Sequence, residues 1–244
     1  MNGDKNVVHG ARTTLDPALR DKLTRTAVAT ISAELRRRGY PDMAIDGVRP
    51  RVPGSRLVGP ARTLRFVAHR PDLFETHGGG YNVQKQAFDG LRTGDVLVIE
   101  ARQDPSAGTV GDVLALRAKT LGAAGIVSDG GVRDFAAVSD MGIPTFTQSV
   151  HPSVLGRRHV PWEANTTITC GGVTVQPGDI LVGDDDGVVV IPAHLVEEVA
   201  HAAAEQEMQD AWVAERVAEG NPVEGLFPPT GHWKEEYRTW RASQ

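Results

Sequence analysis

Asp112, Arg133 and Asp134 are the residues of this 244-residue chain whose types and spacing most directly suggest chemistry. A carboxylate such as that of Asp134 can hold a hard divalent cation, which needs only one or two carboxylates plus water and substrate oxygens. The guanidinium of Arg133 offers a planar donor fork suited to a carboxylate or a keto oxygen. Asp112 opens a helical pattern, so the backbone amides of Val113 and Leu114 stand at a helix N-terminus, where an anion is received. A cation on both carboxylate and keto oxygen stabilises an enolate as it forms. Retro-aldol cleavage and 2-oxo-acid decarboxylation share that species. Plainer roles exist beside these. Asp112 is also a good helix N-cap, worth about 1 kcal/mol. Arg133-Asp134 after Gly130-Gly131 also fits a solvated turn.

The surrounding elements must position those side chains. Residues 112–121 predict a helix, closed by Gly122 and Gly125. Gly125-Ile126-Val127-Ser128 predicts a strand, and residues 129–134 a glycine-rich loop at its end. Asp95-Val96-Leu97-Val98-Ile99-Glu100 is an earlier buried-strand run, and residues 57–67 another candidate. This strand–helix–strand rhythm predicts an α/β fold, in which sites gather at the carboxyl ends of strands. Near the N-terminus, Asp16 and Pro17 suit a helix start. Leu19, Leu23, Ala27, Ile31 and Leu35 then predict one continuous helix, stopped by Gly39. Arg36-Arg37-Arg38 fits that helix's end, where cations complement the dipole. In the second half, Pro177-Gly178-Asp179-Ile180-Leu181-Val182 resembles Thr93-Gly94-Asp95-Val96-Leu97-Val98. Asp184-Asp185-Asp186-Gly187 predicts a turn before the strand Val188-Val189-Val190-Ile191. A long helix is predicted over 193–219, stopped by Gly220. The tail, 221–244, carries Trp233, Tyr237 and Trp240 and is expected to pack on its own or a neighbouring subunit.

Composition narrows the function classes. Hydrophobic residues make up 40% and charged residues 23%, as in an ordinary globular protein. The net charge of −5 argues against generic nucleic-acid binding, which needs a basic footprint. No apolar run approaches a membrane span, and residues 1–12 are polar, without a secretory core. The single cysteine, Cys170, fits a buried strand and a reducing, cytoplasmic compartment. No Walker loop and no G-x-G-x-x-G after a strand is present. Without a G-x-S-x-G elbow, His77-Gly78-Gly79-Gly80 is expected to be a flexible loop. No H-x-x-x-H, H-E-x-x-H or paired C-x-x-C occurs, which disfavours a locally spaced zinc site and leaves hard-cation chemistry.

Several segments taken in order resemble the RraA-like family, which includes 4-hydroxy-4-methyl-2-oxoglutarate aldolase and oxaloacetate decarboxylase. They are Val58-Gly59-Pro60-Ala61, then Arg92 to Val98, then Asp112 followed after residues 113–132 by Arg133-Asp134. Gly142-Ile143-Pro144-Thr145-Phe146 and the stretch from Pro177 to Pro192 complete the match. The resemblance implies an RraA-like swivelling β/β/α domain over 1–220, a central mixed sheet flanked by helices, with a helical C-terminal extension over 221–244. It implies a homotrimer or hexamer. It implies a carbon–carbon lyase acting on a small 2-oxo acid, with Mg²⁺ or Mn²⁺ held by Asp134. Arg133 would bind substrate and steady a pyruvate enolate, and Asp112 would order metal-bound water and help move protons. A glutamate of a neighbouring subunit's C-terminal helix, Glu207 in preference to Glu205, would complete the site through water. Two departures stand out: Ala137 replaces an acidic residue common three positions after the metal aspartate, and the tail is longer. Some relatives are regulators that bind a ribonuclease without chemistry, so a non-catalytic protein-binding role is the alternative.

Overall fold

The structure is a computed structural model that describes residues 13–244. The polar stretch 1–12 lies outside them. Runs of Val, Ile and Leu build the centre of the molecule, as β-branched residues do on a pleated surface buried on both faces. Nine strands form one mixed sheet with central order β1 (Arg49–Pro50), β6 (Thr145–Val150), β5 (Gly125–Val132), β3 (Val96–Glu100), β2 (Leu57–Ala68), β10 (Ile180–Asp184) and β11 (Gly187–Ile191). β4 (Gly108–Val110) adds to β5, and β7 (His159–Ala164) adds to β2. Strands β2, β3, β5 and β6 run parallel, whereas β1, β7, β10 and β11 pair antiparallel. The sheet curls until its two edges nearly meet. Ile45 N, just before β1, donates to Val188 O of β11, and Val190 N donates to Met43 O. The outcome is a nearly closed, barrel-like mixed sheet flanked by helices. A separate hairpin, β8 (Ile168–Cys170) with β9 (Val173–Val175), helps fill its interior beside Phe146, Val127 and Leu181. Cys170 is buried there, as the sequence predicts.

The predicted N-terminal helix is in fact two, α1 (Pro17–Arg25) and α2 (Val28–Arg37). Asp16 caps the first, accepting from Ala18 N and Leu19 N. The chain turns extended at Thr26 and Ala27, and the polar groups freed there find partners on other elements. Glu207 accepts from Ala27 N at 3.0 Å and from Thr30 Oγ1 at 2.6 Å. Asp184 accepts from Val28 N, and Arg56 donates to Leu23 O and Thr26 O. A periodic apolar stripe does not report such a break, because both halves still pack on α7 (Val196–Ala218), with α1 also against β2 and α2 against β11.

Two short helices, α3 (Pro71–His77) and α4 (Val83–Asp89), fill the region where the sequence suggested only strands and a loop at His77-Gly78-Gly79-Gly80. Helices α5 (Asp112–Thr120) and α6 (Phe135–Asp140) flank β5. At the C-terminus, α8 (Gly231–Ala242) lies on α7: Tyr237 and Trp233 pack edge-on or tilted against the fully buried Trp212.

Candidate functional site

Strand pairing brings the three chemical residues together. β4 runs parallel to β5 in a register that sets Gly108 beside Gly131 and Val110 beside Val132. Both strands therefore end at the same edge. Gly111 and Asp112 follow β4 there, and Arg133 and Asp134 follow β5. Arg133 N donates to Val110 O at 2.9 Å, which locks the two strand ends to each other. The predicted loop at 129–132 is instead the second half of β5. Its glycines permit that: a Cβ on Gly131 would stand 2.8 Å from Ala107 O and Ser149 Oγ, and one on Gly130 2.7 Å from Ala101 Cβ and Thr109 Cγ2.

Asp112, Val113, Leu114, Arg133 and Asp134 line one cavity of about 270 Å³, with Gln84, Gly108, Thr109, Val110, Gly111, Val154 and Leu155 completing the wall. Asp112 is not the helix cap: Gly111 holds that position, and Asp112 is the first helical residue. Its Oδ1 accepts from Val113 N at 2.8 Å, so the Val113 amide already meets one carboxylate. Arg133 and Asp134 form an ion pair of 2.7 Å between Nε and Oδ2. Asp134 makes this contact from a left-handed backbone, φ 53° and ψ 38°, and its side chain does not cap α6. A non-glycine residue held in that region costs of order 1 kcal/mol or more and marks a constrained position.

Glycine also shapes the wall under Arg133. A Cβ on Gly108 would lie 2.7 Å from Arg133 Cβ and Cγ, and one on Gly111 2.9 Å from Asp134 Oδ2. Gln84, which is buried, donates to Thr109 O at 2.7 Å and braces β4 from α4. Sequence reasoning passed over Gly108, Gly111, Gln84, Val154 and Leu155. The Gly-Thr-Val-Gly spacing just before Asp112 was the only available signal; the others come from segments distant in sequence.

Glu207 and Glu205 do not join this cavity within the chain. Glu207 closes the α1–α2 break described above. Glu205 accepts from Arg241 Nε at 3.0 Å and from Tyr237 OH at 3.2 Å, and Arg241 holds its carboxyl below the usual range. Ala137 is exposed on α6. Among the described residues no group of three or more His, Cys, Asp or Glu side chains gathers to hold a metal. Two carboxylates, Asp112 and Asp134, nevertheless share the cavity. That donor set fits a hard cation retained largely through water and substrate oxygens, and does not fit zinc.

A curled mixed sheet flanked by helices, with a cavity at the carboxyl ends of β4 and β5, defines the class as an α/β protein. The chain belongs to the RraA-like family (Aldolase/RraA), which matches residues 28–190. A protein of Halalkalibacterium halodurans, provisionally named 4-hydroxy-4-methyl-2-oxoglutarate aldolase, is 34% identical over 163 residues, covering 67% of this chain and 72% of the relative. A crystal structure of Streptomyces coelicolor RraAS2, described as an unusual member of the RNase ES inhibitor RraA protein family, is 31% identical with a TM-score of 0.76. It covers 84% of this chain and 98% of that one. An uncharacterized protein from Pseudomonas syringae pv. tomato is 25% identical with a TM-score of 0.80, covering 91% and 99%. No helix among the described residues is long and apolar enough to cross a membrane.

Proposed function

We propose that this chain is a divalent-metal-dependent lyase that cleaves a carbon–carbon bond in a small 2-oxo acid. The observation that carries the reading is the meeting of Asp112, Arg133 and Asp134 in one cavity. Asp134, with Asp112 acting through water, would hold Mg²⁺ or Mn²⁺. The bound cation supplies positive charge for the oxygens of the 2-oxo acid. Arg133 grips the substrate carboxylate or keto oxygen and steadies the negative charge that builds on the three-carbon fragment. To do so it must share its fork between substrate and Asp134. The first-turn amide of Leu114, with that of Val113 once Asp112 releases it, would offer a second anion seat at the N-terminus of α5. Asp112, beside that seat, accepts or returns the proton at the carbon or hydroxyl that changes bonding.

Assembly into a homotrimer or hexamer is part of this proposal. Val113 and Leu116 on α5 are 71% and 51% exposed, which supplies an apolar surface at the cavity rim for a neighbour to cover. A role for Glu207 in a neighbour's site would require it to release Ala27 N and Thr30 Oγ1.

The test is pyruvate release from oxaloacetate and from 4-hydroxy-2-oxo acids, with Mg²⁺ and with a chelator. Arg133→Ala should abolish turnover while preserving the fold, and Asp134→Ala should remove stimulation by Mg²⁺. A wild-type protein that releases no pyruvate from any of these overturns the reading. The likeness to the S. coelicolor protein favours one alternative, a non-catalytic regulator of a ribonuclease. That role predicts inhibition of a ribonuclease that survives Arg133→Ala.

A further inference from the structure

We infer that Gln84 recognises a substrate hydroxyl that takes no part in bond cleavage, so that the site takes 2-oxo acids hydroxylated beyond carbon 4. The inference rests on the proposed lyase reading of the cavity. Gln84 stands in the first turn of α4, which Asn82 caps by accepting from Lys85 N at 3.2 Å. It is only 3% exposed, yet it lines the cavity that holds Asp112, Arg133 and Asp134. Gln84 Nε2 donates to Thr109 O at 2.7 Å. Only the amide nitrogen can make that bond, so Oε1 is the branch left over. Oε1 accepts from no donor among the described residues. Nor is it sealed off. The side-chain atoms shut away from solvent without a partner, among the described residues, are Arg56 Nε, Arg65 Nε, His159 Nε2, Trp212 Nε1 and Arg216 Nε. The Gln84 oxygen therefore opens onto the cavity, an acceptor on a side chain otherwise buried.

The chemistry of the wall leaves this oxygen one kind of partner in the substrate. Thr109 Oγ1 is committed to Ser128 Oγ and Gly131 O, each at 2.9 Å. Val110, Val113, Leu114, Val154 and Leu155 bring apolar side chains. A carboxylate or keto oxygen has no proton to donate to Oε1, whereas a hydroxyl has one. That hydroxyl is not the reacting one. In retro-aldol cleavage the bond between carbons 3 and 4 breaks and its electron pair stays on carbon 3 as the pyruvate enolate. The hydroxyl on carbon 4 yields its proton to a carboxylate as its oxygen becomes a carbonyl. An amide oxygen does not take up a proton near neutral pH, so a reacting hydroxyl bonded to Gln84 would be turned away from its base. The three carbons that leave as pyruvate carry no hydroxyl of their own. The donor for Gln84 therefore sits on the departing aldehyde, past carbon 4. The seat at the start of α5 stays open to a second carboxylate on the same tail.

The experiment measures pyruvate release with Mg²⁺ from two acids that differ by one hydroxyl, 4-hydroxy-2-oxopentanoate and 4,5-dihydroxy-2-oxopentanoate, both counted as open-chain acid. In the wild-type protein kcat/KM should be about 10-fold or more higher for the dihydroxy acid, the scale of one neutral hydrogen bond in a site built to receive a hydroxyl. Gln84→Met keeps the side-chain length and deletes the acceptor, and should bring that ratio to about 1. The ratio compares two substrates on one protein, so it is insensitive to the amount of folded enzyme, and the wild-type ratio tests the inference even if Gln84→Met does not fold. A wild-type ratio near 1, a ratio unchanged in Gln84→Met, or an equal loss on both acids overturns the inference and leaves the lyase reading intact; the equal loss would mean that Gln84 only braces β4. Release of no pyruvate from either acid sinks the lyase reading, and titration calorimetry with Mg²⁺ then decides the hydroxyl assignment. Binding of the dihydroxy acid about 10-fold tighter than the monohydroxy acid, lost in Gln84→Met, sustains it. Equal affinity, or no binding of either acid, overturns it.

Discussion

Gly108→Ala tests the site without touching any residue given a chemical role. Gly108 has no positive-φ requirement, so alanine is admissible to its backbone. The added Cβ would stand 2.7 Å from Arg133 Cβ and Cγ and 3.1 Å from Arg133 N. Carbon atoms rest at about 3.5–4.0 Å, so roughly 0.8 Å of overlap must be relieved. The backbone on both sides is pinned, by Gly108 N to Ser153 O and by Arg133 N to Val110 O, each 2.9 Å. Rotation about χ1 moves Arg133 Cγ but not Cβ, so the two strand ends must also part and carry Arg133 with them. A displacement near 1 Å in a catalytic group costs on the order of 100-fold, equivalent to about 2.7 kcal/mol of transition-state stabilisation. Overpacking itself costs about 1–3 kcal/mol of stability, and Tm falls by about 2–4 °C per kcal/mol in a chain of this size. Steady-state pyruvate release, measured well below the lowered Tm, separates the two effects. Gly79→Ala is the control, since its Cβ would meet nothing within 4 Å. Activity of Gly108→Ala within about 3-fold of wild type, a change too small to reflect a lost transition-state contact, would refute the claim that this glycine seats Arg133.

Three further outcomes follow from the framework around the site. Glu207→Ala leaves Ala27 N and the Thr30 hydroxyl without their shared acceptor and should cost about 1–2 kcal/mol in chemical denaturation; an unchanged midpoint and slope would mean water replaces the carboxylate freely. Burial, assisted by the Arg102 charge and opposed by Asp104, pushes the His159 imidazole down to about 4, while His159 Nε2 is buried without a partner. Because this folded value lies below the unfolded one near 6.5, the unfolded chain binds more protons in between, so stability is present above about pH 6.5 and is lost as pH falls toward 4, by up to about 3 kcal/mol. His159→Phe should flatten that slope, and a wild-type denaturation midpoint independent of pH across the window would contradict it. Tyr237→Ala removes a side chain whose ring lies 5.3 Å from that of Trp212; a loss of about 3 kcal/mol with red-shifted tryptophan emission is expected, and an unshifted spectrum would show that α8 does not cover Trp212 in solution.

The strand runs were legible because aliphatic continuity is a direct signature of two-sided burial. Leu57, Val96 to Ile99, Gly125 and Val188 to Ile191 all fall in strands where the pattern placed them. The long helix from 196 and its stop near Gly220 were legible for the same local reason. What failed was everything decided by partners remote in sequence. The α1–α2 break depends on Glu207, Asp184 and Arg56. The continuation of β5 through Gly130 and Gly131 depends on β4 and β6 pressing close on both sides, so a glycine pair that reads locally as a turn serves strand packing. Asp112 read as a cap, yet Gly111 took that place, a one-residue shift typical of helix starts. Val154 and Leu155 carried no local mark, since a single valine and leucine in a polar loop fit any surface.

The adjacency of Arg133 and Asp134 posed a geometric difficulty, because successive side chains on an extended chain point to opposite faces. The structure resolves it through the backbone. Arg133 leaves β5 still bonded to Val110 O, and Asp134 then adopts φ 53°, turning its carboxylate back toward the guanidinium. Both side chains thereby reach one cavity. The strained residue is the carboxylate itself, not a nearby glycine, so the strain cannot be removed without removing the group. Asn tolerates the left-handed region better than other replacements. Asp134→Asn therefore keeps the turn while deleting the charge, whereas Asp134→Ala loses both. If the turn is what seats Arg133, the asparagine variant should retain Arg133-dependent binding of a 2-oxo acid and the alanine variant should weaken it. Equal loss in the two would assign the effect to charge alone and leave the backbone conformation without a role in seating Arg133.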